Sequence, residues 1–334
     1  MTTASTMTAL RLDTAGQPLT LATVERPVAG PGQVLVRIAA AGLNPLDGKI
    51  RAGQGAHARQ PAGSILGIDM AGRVEAIGEG VEGFAVGDAV YGMTGGVGGV
   101  QGSLAQFAAV DAKLLAHAPA SMPLGEAAAL PLVFITAWEG LVDRANVRAG
   151  QSVLVIAGAG GVGSMAVQLA VARGAHVFAT GGLSQKGIIE GLGATWVDRE
   201  TPIAEVVDTH TGGEGFDVVY DTLGGATLDA AFVAARCYGG HVVSSLGWGT
   251  HALAPLSFRA ATYSGVFTLM PLLTGKGREH HGEIMAEATK LADAGKLRPV
   301  LSAQRFMLAD GNAALDLVET GRAGGKVVVE IPAA

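Results

Sequence analysis

The stretch VLVIAGAGGVGSMAVQLAVARGAHVFATGG, Val153 to Gly182, constrains the fold most, because its first twenty residues carry no charge. Such a run is long enough to cross a bilayer. Yet Gly158, Gly160, Gly161 and Gly163 all stand in its first half, and glycine is a poor helix former. A second reading accounts for them. SVLVIA, residues 152–157, is a β-branched run of strand length, VGSMAVQLAVARG continues as a helix that stops at Gly174, and AHVFAT is a second strand. Strand, turn, helix and strand within about thirty residues make the βαβ unit that a phosphate-binding glycine turn requires.

Within the turn, Gly158-Ala159-Gly160-Gly161-Val162-Gly163 satisfies G-x-G-x-x-G. The first glycine permits the tight turn, the second lets backbone approach a pyrophosphate, and the third lets helix and strand pack closely. Gly158, Gly160, Gly161, Val162 and Gly163 are therefore expected to bind a dinucleotide, with the N–H groups of the helix start aimed at its phosphates. GGVGGVQG, residues 95–102, misses this spacing and reads as a flexible loop. Downstream the βα rhythm continues through ATWVD, FDVVYD and GGHVVSSLG, and YSGVFTLM supplies a sixth strand of a doubly wound parallel sheet. The first 125 or so residues differ, with short strands such as QVLVRIAAAG and AGRVEAIG between glycine and proline turns. They suggest a β-rich barrel without helices of its own. The tail from Gly277 holds two helical stretches and ends on GKVVVEI, a strand expected to return to the first domain.

Composition fits two globular domains: 334 residues, 49% hydrophobic and 16% charged. A net charge of −6 argues against nucleic acid as a partner. The single cysteine, Cys237, forms neither an internal disulfide nor a thiolate cage and suits the reducing cytoplasm. The polar N-terminus lacks the basic start and apolar run of a secretory signal, and no membrane association is expected.

The ordered motifs AAAGLNPLDGKIRAG, LGIDMAGRVEAIGEGVEGFAVGDAVYG, LPLVFITAWEGL, GQSVLVIAGAGGVG, FDVVYDTLGG and GRAGGKVVVEI resemble the zinc-independent quinone oxidoreductase and enone reductase branch of the medium-chain dehydrogenase/reductases. The resemblance covers nearly the whole chain. It implies an α/β protein with a GroES-like β-barrel catalytic domain over residues 1–125, a Rossmann NADP(H)-binding domain over 126–270, and a segment 271–334 completing the first. It further implies a homodimer that reduces quinones or α,β-unsaturated carbonyl compounds with NADPH. This chain departs from the pattern at Gly158, which takes the first of two places before the paired glycines where the family usually has Ala or Ser, and at Lys49 and Gly55, where tyrosines often stand. The Lys49 variant is more similar to relatives that reduce α,β-unsaturated ketones.

In zinc-dependent relatives a cysteine stands at the place of Asn44 and a histidine at the place of Ile68, and neither residue here replaces them as a zinc ligand. The adjacent His280 and His281 lack H-E-x-x-H spacing and read as surface residues. No metal is expected. After the second strand, Thr180 to Lys186 contains no acid to bind a ribose 2′-OH, so Thr180, Ser184 and Lys186 are expected to favour a 2′-phosphate. Lys186 also suits an exposed helix position. By resemblance Thr136, Leu246 and Phe267 join the cofactor site, Asn44 holds the ribose or the carbonyl, and Lys49 offers a cationic donor to the reacting oxygen or to the nicotinamide ribose. Asn44 before Pro45 equally suits a turn, and Asp47 with Lys49 a solvated pair. Asp221 reads as structural, and Tyr263 is a candidate proton donor. A cofactor-binding sensor or crystallin-like protein, or a zinc-independent enoyl reductase or alcohol dehydrogenase, stands as the alternative function.

Overall fold

A computed structural model describes residues 5–332, so the first four residues of the polar N-terminal stretch lie outside it. Its chain forms two compact units: one gathers the residues up to Leu132 with those from Leu269 onward, and the other runs from Val133 to Thr268. Among the described residues no helix is long and apolar enough to cross a membrane, and the uncharged stretch divides between strand Ser152–Val155 and helix Gly161–Ala172.

The second unit is built on six parallel strands. Their spatial order is Thr195–Asp198, His176–Gly181, Ser152–Val155, Val218–Asp221, His241–Ser244 and Thr262–Gly265. That order, third, second, first, fourth, fifth, sixth, is the doubly wound arrangement expected from the βα rhythm. Its central strands read as unbroken apolar runs, Val153-Leu154-Val155 and Val218-Val219-Tyr220, because both faces are covered. Leu154, Val219 and Val242 pack with Phe216, Phe232 and Leu228 in one buried cluster. Phe178 meets Phe216 and Tyr263 meets Phe232 edge-on, with ring centroids 5.5 and 5.8 Å apart.

The first unit is β-rich. Strand Gln33–Gly42 pairs with Asp69–Ile77, Phe107–Asp111 and the returning strand Val328–Glu330, which aligns Val328 with Gly42. Register shifts beside Val36 and Ala40 curve the long strand, as bulges do. Three expectations need correction here. The unit has a helix of its own, Pro45–Arg51, begun by extended Asn44 and by Pro45 at the first turn. The glycine-rich loop is pinned: Met93 to Val97 are buried, and the N–H groups of Gly98 and Gly102 donate to Ala58 O and Ile65 O. His281 is buried because it shares one face of helix Arg278–Asp293 with Ile284, Met285, Ala288 and Ala292, whereas His280 is half-exposed beside Glu283.

Phe232 fills the centre of the second unit's cluster, and its removal leaves a cavity beneath the sheet. Phe232→Ala is expected to cost about 3–5 kcal/mol, read as a lower urea midpoint for the transition of that unit; an unchanged midpoint would mean the ring contributes no packing.

Candidate active site

The glycine turn is held from beneath by the second strand. Ala157 adopts a left-handed φ of 61°, its N–H donates to Thr180 Oγ1 at 3.0 Å, and the Gly158 N–H donates to Thr180 O at 2.9 Å. Thr180 therefore braces the turn with both its hydroxyl and its carbonyl. A Cβ on Gly163 would collide with the Ala157 carbonyl, so only glycine lets the helix start this close to the strand. On the outer side Gly160 and Gly161 are exposed, and a Cβ on Gly160 would meet only the Ala157 oxygen, at 3.2 Å. No side chain caps helix Gly161–Ala172. With no side chain on them, its first N–H groups form a backbone cradle that fits a dinucleotide pyrophosphate.

Other expected cofactor residues are spread along the same unit. Ser184 is exposed, and Lys186 leans toward Glu190 at 3.8 Å with its Nζ 5.1 Å from the Trp196 ring. Leu246 is half-buried, following strand His241–Ser244, and Phe267 is 37% exposed. Thr136 is buried, its Oγ1 3.1 Å from Thr268 Oγ1, which in turn donates to Glu139 Oε2 at 3.1 Å. Its helix, Pro131–Trp138, runs into a π-helical turn, Glu139–Arg144, a form often found at functional sites. Asp221 accepts from Ser244 Oγ, Thr227 Oγ1 and the Gly224 N–H at 2.6 to 2.9 Å, tying its own strand end to the end of strand His241–Ser244 and to the start of helix Ala226–Ala234. The Tyr263 hydroxyl fills the space a side chain on Gly247 would need, and burial raises its pKa. Arg199, which no motif marked, lies against Gly182.

In the first unit a buried ion cluster surrounds Asn44. Lys326 Nζ donates to Asn44 Oδ1 at 2.6 Å and to Leu43 O at 2.9 Å, and stands 3.6 Å from Asp69 Oδ2. Asn44 Nδ2 donates to the same Asp69 oxygen at 2.9 Å, while Asp69 Oδ1 accepts the Leu132 N–H at 2.9 Å. Asn44 is thus a strut between Lys326 and Asp69. Asp47 is fully buried and accepts the Asn44 N–H at 2.8 Å through Oδ2, leaving Oδ1 without a hydrogen bond. Lys49 is exposed and has no ion pair among the described residues, so Asp47 and Lys49 do not form the solvated pair. Its charge is felt by His57, whose pKa falls through burial first and Lys49 second. Burial raises Asp69 and lowers Lys326, and their attraction opposes both shifts. Sequence reasoning passed over Lys326, although it lies in the motif GRAGGKVVVEI; nothing local names a partner 282 residues away.

The chain matches the family described as Alcohol dehydrogenase GroES-like domain over residues 30–120 and that described as Zinc-binding dehydrogenase over residues 192–329. It is 36% identical over 305 residues, 89% of this chain and 71% of the relative, to the 2-methylene-furan-3-one reductase of Solanum lycopersicum. It belongs to the medium-chain dehydrogenase/reductase superfamily. It is also 34% identical over 306 residues, 89% of this chain and 72% of the relative, to the NADPH-dependent alkenal/one oxidoreductase, chloroplastic, of Arabidopsis thaliana. A further relative, the Spectinabilin polyketide synthase system protein NorB of Streptomyces orinoci, is 36% identical over 312 residues, 91% of this chain but 13% of its own length. Among solved structures, an alcohol dehydrogenase superfamily protein from Novosphingobium aromaticivorans shares 54% identity with a TM-score of 0.96, covering 98% of this chain and 100% of that one.

Within this superfamily the fold is the GroES-like unit plus the Rossmann-like unit described above. The zinc implied by one family description does not fit this chain. Ile68 offers no lone pair, Asn44 Oδ1 is committed to an ammonium, and that ammonium's charge opposes a divalent cation beside it. Among the described residues no three His, Cys, Asp or Glu side chains gather as a metal site.

Burial pushes the Asp47 carboxyl up from 3.8 to about 7, with the Asn44 N–H opposing this and Asp69 adding to it. Because the folded-state value lies above the unfolded one, this group's stabilisation is complete below pH 3.8 and is lost as pH rises to about 7. Asp47→Asn is expected to flatten the fall in Tm across that window, measured by calorimetry at successive pH values. An unaltered slope would mean that Asp47 is not the group titrating.

Proposed function

We propose that this protein is an NADPH-dependent oxidoreductase that reduces α,β-unsaturated carbonyl compounds or quinones without a metal. The open glycine cradle, followed by a strand end free of carboxylates from Thr180 to Lys186, is the observation that carries this function. The names of two relatives, an enone reductase and an NADPH-dependent alkenal/one oxidoreductase, support the same cofactor and substrate class. When bound, NADPH supplies the hydride that reduces the electron-poor carbon.

The protein's own residues then have three tasks. Gly161 to Gly163 bind the pyrophosphate through backbone N–H groups, the Gly160 N–H being donated to Ala157 O, with Thr180 keeping Ala157 in the conformation that shapes the turn. Lys49 holds the substrate's carbonyl oxygen as negative charge develops there, and its freedom from any carboxylate partner among the described residues leaves its three donors available. Asn44 acts at one remove, because its amide is spent on Lys326 and Asp69 and it anchors the start of the helix that carries Lys49. Asn44 and Ile68 make the reaction independent of zinc. The cytoplasm follows from Cys237 as sole cysteine, and the assembled form is a homodimer by likeness to the family.

The test is NADPH oxidation, followed by absorbance, with a panel of enones, acrylate-like compounds and quinones in the presence of chelator. Turnover of at least one panel member at an undiminished rate is expected; a bound nucleotide with no turnover of any member would identify a binding module, and activity lost with one zinc per chain would overturn the metal-free mechanism. Lys49→Ala is expected to lower kcat roughly ten- to a thousandfold while NADPH affinity holds. Loss of affinity at constant kcat would instead make Lys49 a cofactor ligand.

A further inference from the structure

We propose that Arg199, and not Lys186, is the side chain with which this protein recognises the 2′-phosphate of NADP(H) and prefers it to NAD(H). The proposal rests on the dinucleotide-binding reading above. In a doubly wound sheet the ribose 2′ position is met at the end of the second strand. Here that strand ends at Gly181, and the neighbouring strand runs parallel to it with Asp198 in register beside Gly181. The next residue along, Arg199, therefore emerges at the side of Gly182, and its backbone N–H donates to Gly181 O at 3.2 Å.

Its guanidinium lies on that glycine. Cζ and Nε stand 3.8 and 3.9 Å from the place a Cβ on Gly182 would occupy, so the bare glycine leaves the face of this corner to the arginine. Nε donates to Glu200 Oε1 at 3.1 Å, but both side chains are largely exposed, at 66% and 80%, and such a pair is weak. The two terminal nitrogens have no partner among the described residues. They present the planar fork that binds phosphate through two parallel hydrogen bonds.

Of the other donors at this corner, the Gly182 N–H is engaged, donating to Gln185 Oε1 at 3.0 Å. Lys186 sits 3.8 Å from Glu190 with its ammonium 5.1 Å from the Trp196 ring, and Trp196 Nε1 donates to Gly181 O at 3.0 Å. The exposed Lys186–Glu190 pair is weak as well, so what a phosphate drawing Lys186 away would forfeit is the ring contact. Arg199 gives up at most one exposed pair. Ser184, also exposed, remains as a neutral donor.

The test is equilibrium binding, measured by calorimetry with NADPH, NADH and 2′,5′-ADP, on the full-length protein and on Arg199→Ala, Arg199→Lys and Lys186→Ala. Arg199→Ala is expected to weaken NADPH and 2′,5′-ADP roughly 10- to 100-fold, the loss of a charge-assisted hydrogen bond, with NADH changing less than about twofold. Arg199→Lys should recover part of that loss, and Lys186→Ala should leave the NADPH-to-NADH ratio near its original value. The unchanged NADH affinity shows that the variants are folded. Equal losses for NADPH and NADH, or a loss of preference in Lys186→Ala with none in Arg199→Ala, would overturn the assignment to Arg199 while leaving the dinucleotide site intact. Original protein that binds neither NADPH nor NADH would overturn the dinucleotide reading and the assignment with it.

Discussion

The close approach of two backbone segments at Gly163 and Ala157 is the constraint on which the second unit depends. Helix Gly161–Ala172 can start against strand Ser152–Val155 only because no Cβ intervenes, and that proximity turns its free N–H groups toward the cradle. The same compactness forces Ala157 into a left-handed conformation, which costs a non-glycine residue about 1 kcal/mol or more. Thr180 compensates by accepting the Ala157 N–H. Its hydroxyl thus serves the shape of the glycine turn.

Charge balance plays the corresponding part in the first unit. Asp69 is buried and the Lys326 side chain is only 9% exposed, and ions in such a place are tolerated only when paired and hydrogen-bonded. Asn44 is the adaptor that makes the pairing work, since an amide is donor and acceptor at once: it gives to Asp69 and receives from Lys326. The start of the helix bearing Lys49 is consequently fixed by side chains from two distant parts of the chain, Asp69 and Lys326.

The second unit was largely legible in the sequence because its determinants are local. Apolar strands, the spaced glycines and the βα alternation each announce themselves within a few residues, and the observed strand order follows from them. Helix Pro45–Arg51 was hidden by its seven-residue length and by Gly48 within it, although Asn44, Pro45 and Asp47 were its start signal. His281 misled because adjacent polar residues mask the spacing of Ile284, Met285 and Ala288 that puts it on the inner face. Lys326 and Arg199 eluded motif reasoning for a different reason. Each acts on a residue brought near only by strand pairing, and no short-range pattern encodes that register.

The return of strand Val328–Glu330 to the first unit has a consequence for biosynthesis. Asn44 and Asp69 leave the ribosome long before Lys326, which follows Asn44 by 282 residues. At about 5–20 residues per second the wait is roughly 15 to 55 seconds. Throughout it, the strand that begins at Asp69 holds a carboxyl group whose cation has not been made, while the contiguous segment Val133–Thr268 already contains every strand of its own sheet. Translation order therefore makes the second unit's sheet complete while the first unit's sheet still lacks Val328–Glu330.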